Sequence, residues 1–177
     1  LHRKATISAT KKNSENERVP ITVKKLDVDS DTECTLSKLT VENEFKITQS
    51  AKLTFEDVTF KEDSQLNLDI RDCGRSGFDN NPIITGSLKT PPGQINFDFS
   101  SSKNDEITYN HDYLLFRATF ESGGCERWKN NLQLDGSKFT ESKCTDWSSG
   151  SAFDLATEQK ELNVRTNKDD DDGGNKG

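Results

Sequence analysis

Between Ile21 and Ile70 the apolar residues fall in pairs two positions apart. Ile21/Val23, Leu26/Val28, Cys34/Leu36, Leu39/Val41, Phe45/Ile47, Leu53/Phe55, Val58/Phe60 and Leu66/Leu68 follow one another with polar residues between. Period two is the signature of a strand, because successive side chains point to opposite faces. The Thr, Val, Ile and Phe that fill these segments suit a pleated surface.

The pairs also recur at longer range. Leu26, Leu39, Leu53 and Leu66 lie 13, 14 and 13 residues apart, and KLTV at Lys38 nearly repeats as KLTF at Lys52. Short strands and polar corners at near-constant spacing predict a β-solenoid, or parallel β-helix, of short strands with two loop insertions. One coil holds either two strands in about 13 residues or three in about 20. The alternative is an antiparallel β-sandwich of short hairpins. The corners ENE, TQS and KEDS lack the Asn-Gly signal of two-residue hairpins, which favours the solenoid. Stacking also explains how so polar a chain folds. Hydrophobic residues make up 29% of the 177, and stacked coils share one thin core that no single coil has alone.

The rhythm breaks at DCGRSGFDNNP from Asp72 to Pro82 and again at TPPG from Thr90 to Gly93. Strands are expected to return over Ile95–Phe99, Asp112–Phe120, Asn131–Leu134, Ala152–Ala156 and Glu161–Val164, with Ser100–Asn110 an exposed loop. Residues 1–20 read as a flexible, weakly basic arm, 21–164 as one solenoid domain, and 165–177, with four consecutive Asp, as a disordered acidic tail. Leu1 at the start and the absence of Met suggest a processed product or a piece of a longer chain.

Four cysteines, Cys34, Cys73, Cys125 and Cys144, match no common zinc spacing. They are read as two disulfides in an oxidising setting, extracellular or at the cell surface. Three pairings are open. Cys125 with Cys144 and Cys34 with Cys73 are favoured because near pairs close smaller loops. A net charge of -7 argues against a nucleic-acid partner. The longest apolar run, Tyr113 to Phe116, is too short to span a membrane.

Three groups of residues carry candidate chemistry. Asp27, Asp29, Asp31 and Glu33 alternate along the chain, and an extended backbone would align their carboxylates for Ca²⁺. The plainer reading is a polar outer face, so no cofactor is expected and Ca²⁺ is the alternative. Cys125/Trp128 and Cys144/Trp147 repeat a Cys-x-x-Trp word. The structural reading is a cystine covered by two indoles. The functional reading is an aromatic platform for a sugar, with Asn130 and Asn131 as hydrogen-bond partners. Last, His111-Asp112 has no nucleophile in a G-x-S-x-G setting, so His111 is read as a loop residue and no catalytic residue is assigned.

The segment AKLTFEDVTFKEDSQLNLDI resembles the coil unit of right-handed β-helix surface proteins. The later order GQINFDF, DYLLFRATF, NLQL and AFDLATEQKELNV is similar to the terminal coils of autotransporter-passenger-type solenoids, and to repeat arrays on the surfaces of parasitic protists. The resemblance implies a non-enzymatic extracellular or cell-surface repeat module, adhesive or acting as a spacer, with a surface protein or glycan as partner. Two alternatives stand beside it. One is a carbohydrate- or Ca²⁺-binding module. The other is a polysaccharide lyase or hydrolase on a β-helix.

Overall fold

The computed structural model describes residues 3–8, 10–12, 14–28, 32–48, 51–69, 82–98, 110–121, 123–134, 139–147 and 157–166. Among them the strands are β1 (Arg3–Ser8), β2 (Thr10–Lys12), β3 (Arg18–Val28), β4 (Thr32–Thr48), β5 (Lys52–Phe60), β6 (Gln65–Asp69), β7 (Ile84–Leu88), β8 (Gln94–Asp98), β9 (His111–Glu121), β10 (Leu132–Gln133), β11 (Phe139–Asp146) and β12 (Thr157–Thr166). One short helix, α1 (Gly124–Asn130), interrupts them. The chain is all-β.

Most of the pairing is parallel, and it falls into three ladders. In the first, Ala5, Cys34, Leu53, Ile84 and Phe116 stand side by side on β1, β4, β5, β7 and β9. In the second, Ile21, Leu39, Val58, Leu88 and Phe120 do the same. In the third, Leu26, Phe45, Leu66, Ile95 and Leu132 align on β3, β4, β6, β8 and β10. Every rung of every ladder is apolar. The outward positions between them are polar, and Thr35, Thr54 and Thr85 form one such row. The hydroxyls of Thr54 and Thr85 are 3.1 Å apart, within hydrogen-bond reach.

The ladders share one interior. Phe55 from the first, Phe60 from the second and Phe45 from the third form a triangle of rings with centroids 5.8, 6.1 and 6.3 Å apart. All three are buried. Each contributes large apolar area at about 25 cal/mol per Å² removed from water.

The passage from the first ladder to the second is a bend inside a continuous strand. It occurs at Lys38 in β4 and at Asp57 in β5, whose backbones have φ of 53° and 52°. The segments CTL, LTV and FKI, expected as separate strands, therefore run together as β4.

Register also gives the 13-residue spacing its meaning. Cys34 pairs with Leu53 and Leu39 with Val58 nineteen residues on, while Ile21 pairs with Leu39 at eighteen and Phe45 with Leu66 at twenty-one, so a rung repeats after about nineteen residues rather than thirteen. Leu26, Leu39, Leu53 and Leu66 lie on the third, second, first and third ladders. Each step of about thirteen residues thus advances two ladders out of three.

The pairing is not parallel throughout. β9 pairs along its length with antiparallel β12, β12 pairs with antiparallel β11, and β2 pairs with antiparallel β3. The hairpin sandwich does not describe the Ile21–Asp69 stretch, where β3, β4, β5 and β6 pair with one another only in parallel. β1 and β2 fall within the stretch read as an arm. β1 pairs with β4 from Arg3 opposite Thr32 to Ser8 opposite Ser37. β7, β11 and α1 were not expected from the sequence. Ala152–Ala156, residues 70–81 and 99–109, and the acidic run Asp169–Asp172 lie outside the described residues.

Candidate functional site: a cleft at a stacked corner

The second ladder passes to the third within β3 and β4 and then through three corners outside the strands, and these three corners stack. The first, after β5, is the tight turn Lys61–Ser64. Ser64 is fully buried there, and its Oγ donates to the Lys61 carbonyl at 2.6 Å. The second, after β7, holds Pro91, Pro92 and Gly93. A Cβ on Gly93 would lie 2.1 Å from the Glu62 carbonyl oxygen, so only glycine lets the two corners approach this closely. The Gln94 amide N–H then donates to the Ser64 carbonyl at 3.3 Å.

The third corner is α1 and Asn131. Asn131 Nδ2 donates to the Pro92 carbonyl at 2.8 Å, and the Ile95 N–H donates to the Asn131 carbonyl at 2.8 Å. Cys125 and Trp128 share the inner side of α1, as positions three apart on a helix do. Trp128 is fully buried, with Phe60, Phe116 and Phe120 at 5.8, 5.7 and 6.3 Å between ring centroids. Among the described residues its indole N–H has no oxygen or nitrogen acceptor, and the Phe60 and Phe116 rings stand nearly perpendicular to the indole. A disulfide between Cys125 and Cys144 fastens α1 to β11.

Where the three corners meet lies a cleft of about 440 Å³, lined by Glu62, Thr90, Pro91, Pro92, Gly93, Arg127, Asn130 and Asn131. That is the size range of small-ligand sites. Its polar groups are one carboxylate, one guanidinium, a hydroxyl and two carboxamides, set against two pyrrolidine rings.

Of the residues the sequence pointed to as a sugar site, Asn130 and Asn131 are here and the tryptophans are not. Trp128 is removed from any surface platform because it fills the interior beneath α1. Trp147 follows β11 and is half-buried. The Arg117 guanidinium lies over its ring at 5.6 Å, and Arg117 also donates from Nε to Glu161 at 2.8 Å. A cation of the protein itself thus occupies one face of that indole. Glu62, Thr90 and Arg127 were not foreseen. KEDS and TPPG could be read as corners, but no local signal says that those corners stack.

The acidic row is only partly in view. Asp27 is exposed in register beside Lys46, and Glu33 is half-buried in register beside Lys52, so each faces a lysine position of the next strand. Asp29 and Asp31 lie outside the described residues. Among the described residues no three His, Cys, Asp or Glu side chains gather to hold a metal. The Cys125–Cys144 bridge is one of the two favoured pairings. Cys34 is buried, and Cys73 lies outside the described residues.

His111 opens β9 rather than standing in a loop. Its neighbour Asp112 accepts from Lys143 Nζ at 2.9 Å and from Arg165 at 3.1 Å. The hydrogen bond from Lys143, helped by Arg165, holds the Asp112 carboxyl below the usual carboxylate range against the opposing effect of partial burial. On the same hairpin the bond to Asp146 raises the Lys160 ammonium above its ordinary value. These groups lock β9, β12 and β11 together.

No family model, curated protein or solved structure matches this chain. No helix among the described residues is long and apolar enough to cross a membrane.

Proposed function

We propose that the chain is a β-solenoid module acting as a non-enzymatic extracellular or cell-surface element, adhesive or spacing in role. The observation that carries this reading is the set of three parallel ladders with apolar rungs around one shared interior. Such a body is stiff along the stacking direction and offers long polar flanks to a partner. The Cys125–Cys144 bridge fits an oxidising compartment.

The corner cleft favours a second reading, a carbohydrate-binding module. Its Asn130 and Asn131 amides are suited to sugar hydroxyls, because each amide both donates and accepts. A lyase or hydrolase would bring two carboxylates to bear on one glycosidic bond. Glu62 is the acid in the cleft lining.

The test is to pass the purified chain over panels of extracellular-matrix proteins and of glycans. The bound glycans are then assayed for new reducing ends and unsaturated products. Binding without turnover is expected. Turnover of any polysaccharide would overturn the non-enzymatic reading.

A further inference from the structure

The outward rows of the third ladder change chemistry along the stack. On β3 and β4 they are charged: Lys25 and Asp27, then Glu44 and Lys46, with Lys25 and Glu44 paired at 3.5 Å. On β6, β8 and β10 the register partners are carboxamides. Gln65 and Gln94 continue one row, and Asn67, Asn96 and Gln133 continue the other. These three strands are the ones that leave the stacked corners. Gln94 follows Gly93 of the cleft, and Gln133 lies two residues beyond Asn131. Cleft and amide rows are therefore continuous.

The amides are oriented by one another. Asn96 Nδ2 donates to Asn67 Oδ1 at 2.7 Å, Asn67 Nδ2 donates to Glu44 at 3.0 Å, and Gln94 Nε2 donates to Asn96 Oδ1 at 2.8 Å. A carboxamide has two N–H donors and two acceptor lone pairs, so members of such a relay keep capacity for a ligand. Rungs of the ladder are about 4.8 Å apart. The rows thus present donors and acceptors at regular intervals along the stacking direction. Charge narrows the ligand further. The amides are neutral, the Glu62 and Arg127 charges in the cleft offset each other, and two positions beyond Asn67 and Asn96 the register sets Asp69 beside Asp98, so an anionic chain is disfavoured.

We infer that the cleft and the adjoining amide rows form one binding surface for an extended, neutral, hydroxyl-rich polysaccharide lying along the stacking direction. The inference rests on the carbohydrate-binding reading above and gives it a site and a ligand class. Asn130 and Asn131 grip one end of the chain. Gln94 with Asn96, and Gln65 with Asn67 one rung further on, meet two successive sugars beyond it.

The test is calorimetric titration of the full chain with cellohexaose, xylohexaose and mannohexaose, their disaccharides, and an oligogalacturonate of equal length. At least one neutral hexasaccharide is expected to bind, with its disaccharide roughly tenfold weaker because contacts are spread along the surface. Gln94→Ala and Asn130→Ala, both at exposed side chains, are each expected to weaken binding roughly two- to tenfold with unchanged thermal melting, the effect of one lost hydrogen bond. Neutral binding that neither variant alters overturns this surface and leaves carbohydrate binding standing. Preference for the galacturonate overturns the ligand class. Absence of any glycan binding overturns both the inference and the reading beneath it.

Discussion

Lys38 and Asp57 occupy the same place one rung apart, and both hold a left-handed backbone, with φ of 53° and 52°. Ser37 pairs with Glu56 and Leu39 with Val58 on either side of them. A side chain in this conformation is crowded against its own carbonyl, at a cost of roughly 1–2 kcal/mol. The strain is tolerated because it turns the strand from the first ladder into the second without breaking the hydrogen bonds around it.

Relief of that strain is measurable. Lys38→Gly is expected to raise stability by about 0.5–1 kcal/mol, and Lys38→Val to lower it by about 1–2 kcal/mol. Urea midpoints of the two variants against the parent chain check this. Asp57 is the poorer test position, because its carboxylate also accepts from Lys89 at 3.1 Å.

Trp128 and Trp147 separate by fluorescence. With Trp147→Phe, the remaining emission of Trp128 is expected to be blue-shifted and resistant to acrylamide, since that ring is fully buried. Trp128→Ala is expected to cost about 3–5 kcal/mol through the cavity it leaves among Phe60, Phe116 and Phe120. Emission spectra with a quencher titration, and a urea melt, check the two parts.

Reduction is expected to loosen the α1 corner. The Cys125–Cys144 bridge closes a loop of sequence separation 19, and its loss is expected to lower stability by about 3 kcal/mol. Thermal melts of a Cys125→Ser, Cys144→Ser double variant against the parent chain check this.

Acid is expected to unfasten the β9–β12–β11 hairpin region through Asp112. Its folded pKa is depressed by Lys143 and Arg165, so the stabilisation is complete above the unfolded pKa. It is lost as pH falls from the ordinary carboxylate range through the depressed folded value. Asp112→Asn should therefore lose stability at neutral pH and show a smaller further loss on acidification. Urea midpoints at about pH 7 and about pH 3 measure the difference.

The legible part of the fold was the part written in alternation. Ile21/Val23 through Leu66/Leu68 are period-two pairs, and all became rungs. The thirteen-residue interval is visible too, but a linear string does not say how many ladders share it, so the nineteen-residue register of β4 on β5 is hidden. β7 was missed because Gly86 sits in the middle of ITGSL, where a Cβ would meet the Phe55 carbonyl oxygen at 2.2 Å. The glycine that reads as a strand breaker is what lets β7 lie against β5. β11 was missed because FTESKCTD is polar, an edge strand with little to bury. The site was half legible. Asn130 and Asn131 were named, but for their nearness to Trp128, which turned inward. Glu62 and Arg127 join them only through stacking between corners far apart in the chain.

The corners between the second and third ladders lengthen from four residues at Lys61–Ser64, to five at Lys89–Gly93, to ten between Glu121 and Leu132. The flanking rungs Phe60/Leu66, Leu88/Ile95 and Phe120/Leu132 are buried throughout. Insert length is thus uncoupled from strand alignment at this edge. A foreign peptide grafted there is expected to leave the strands on either side of it in register.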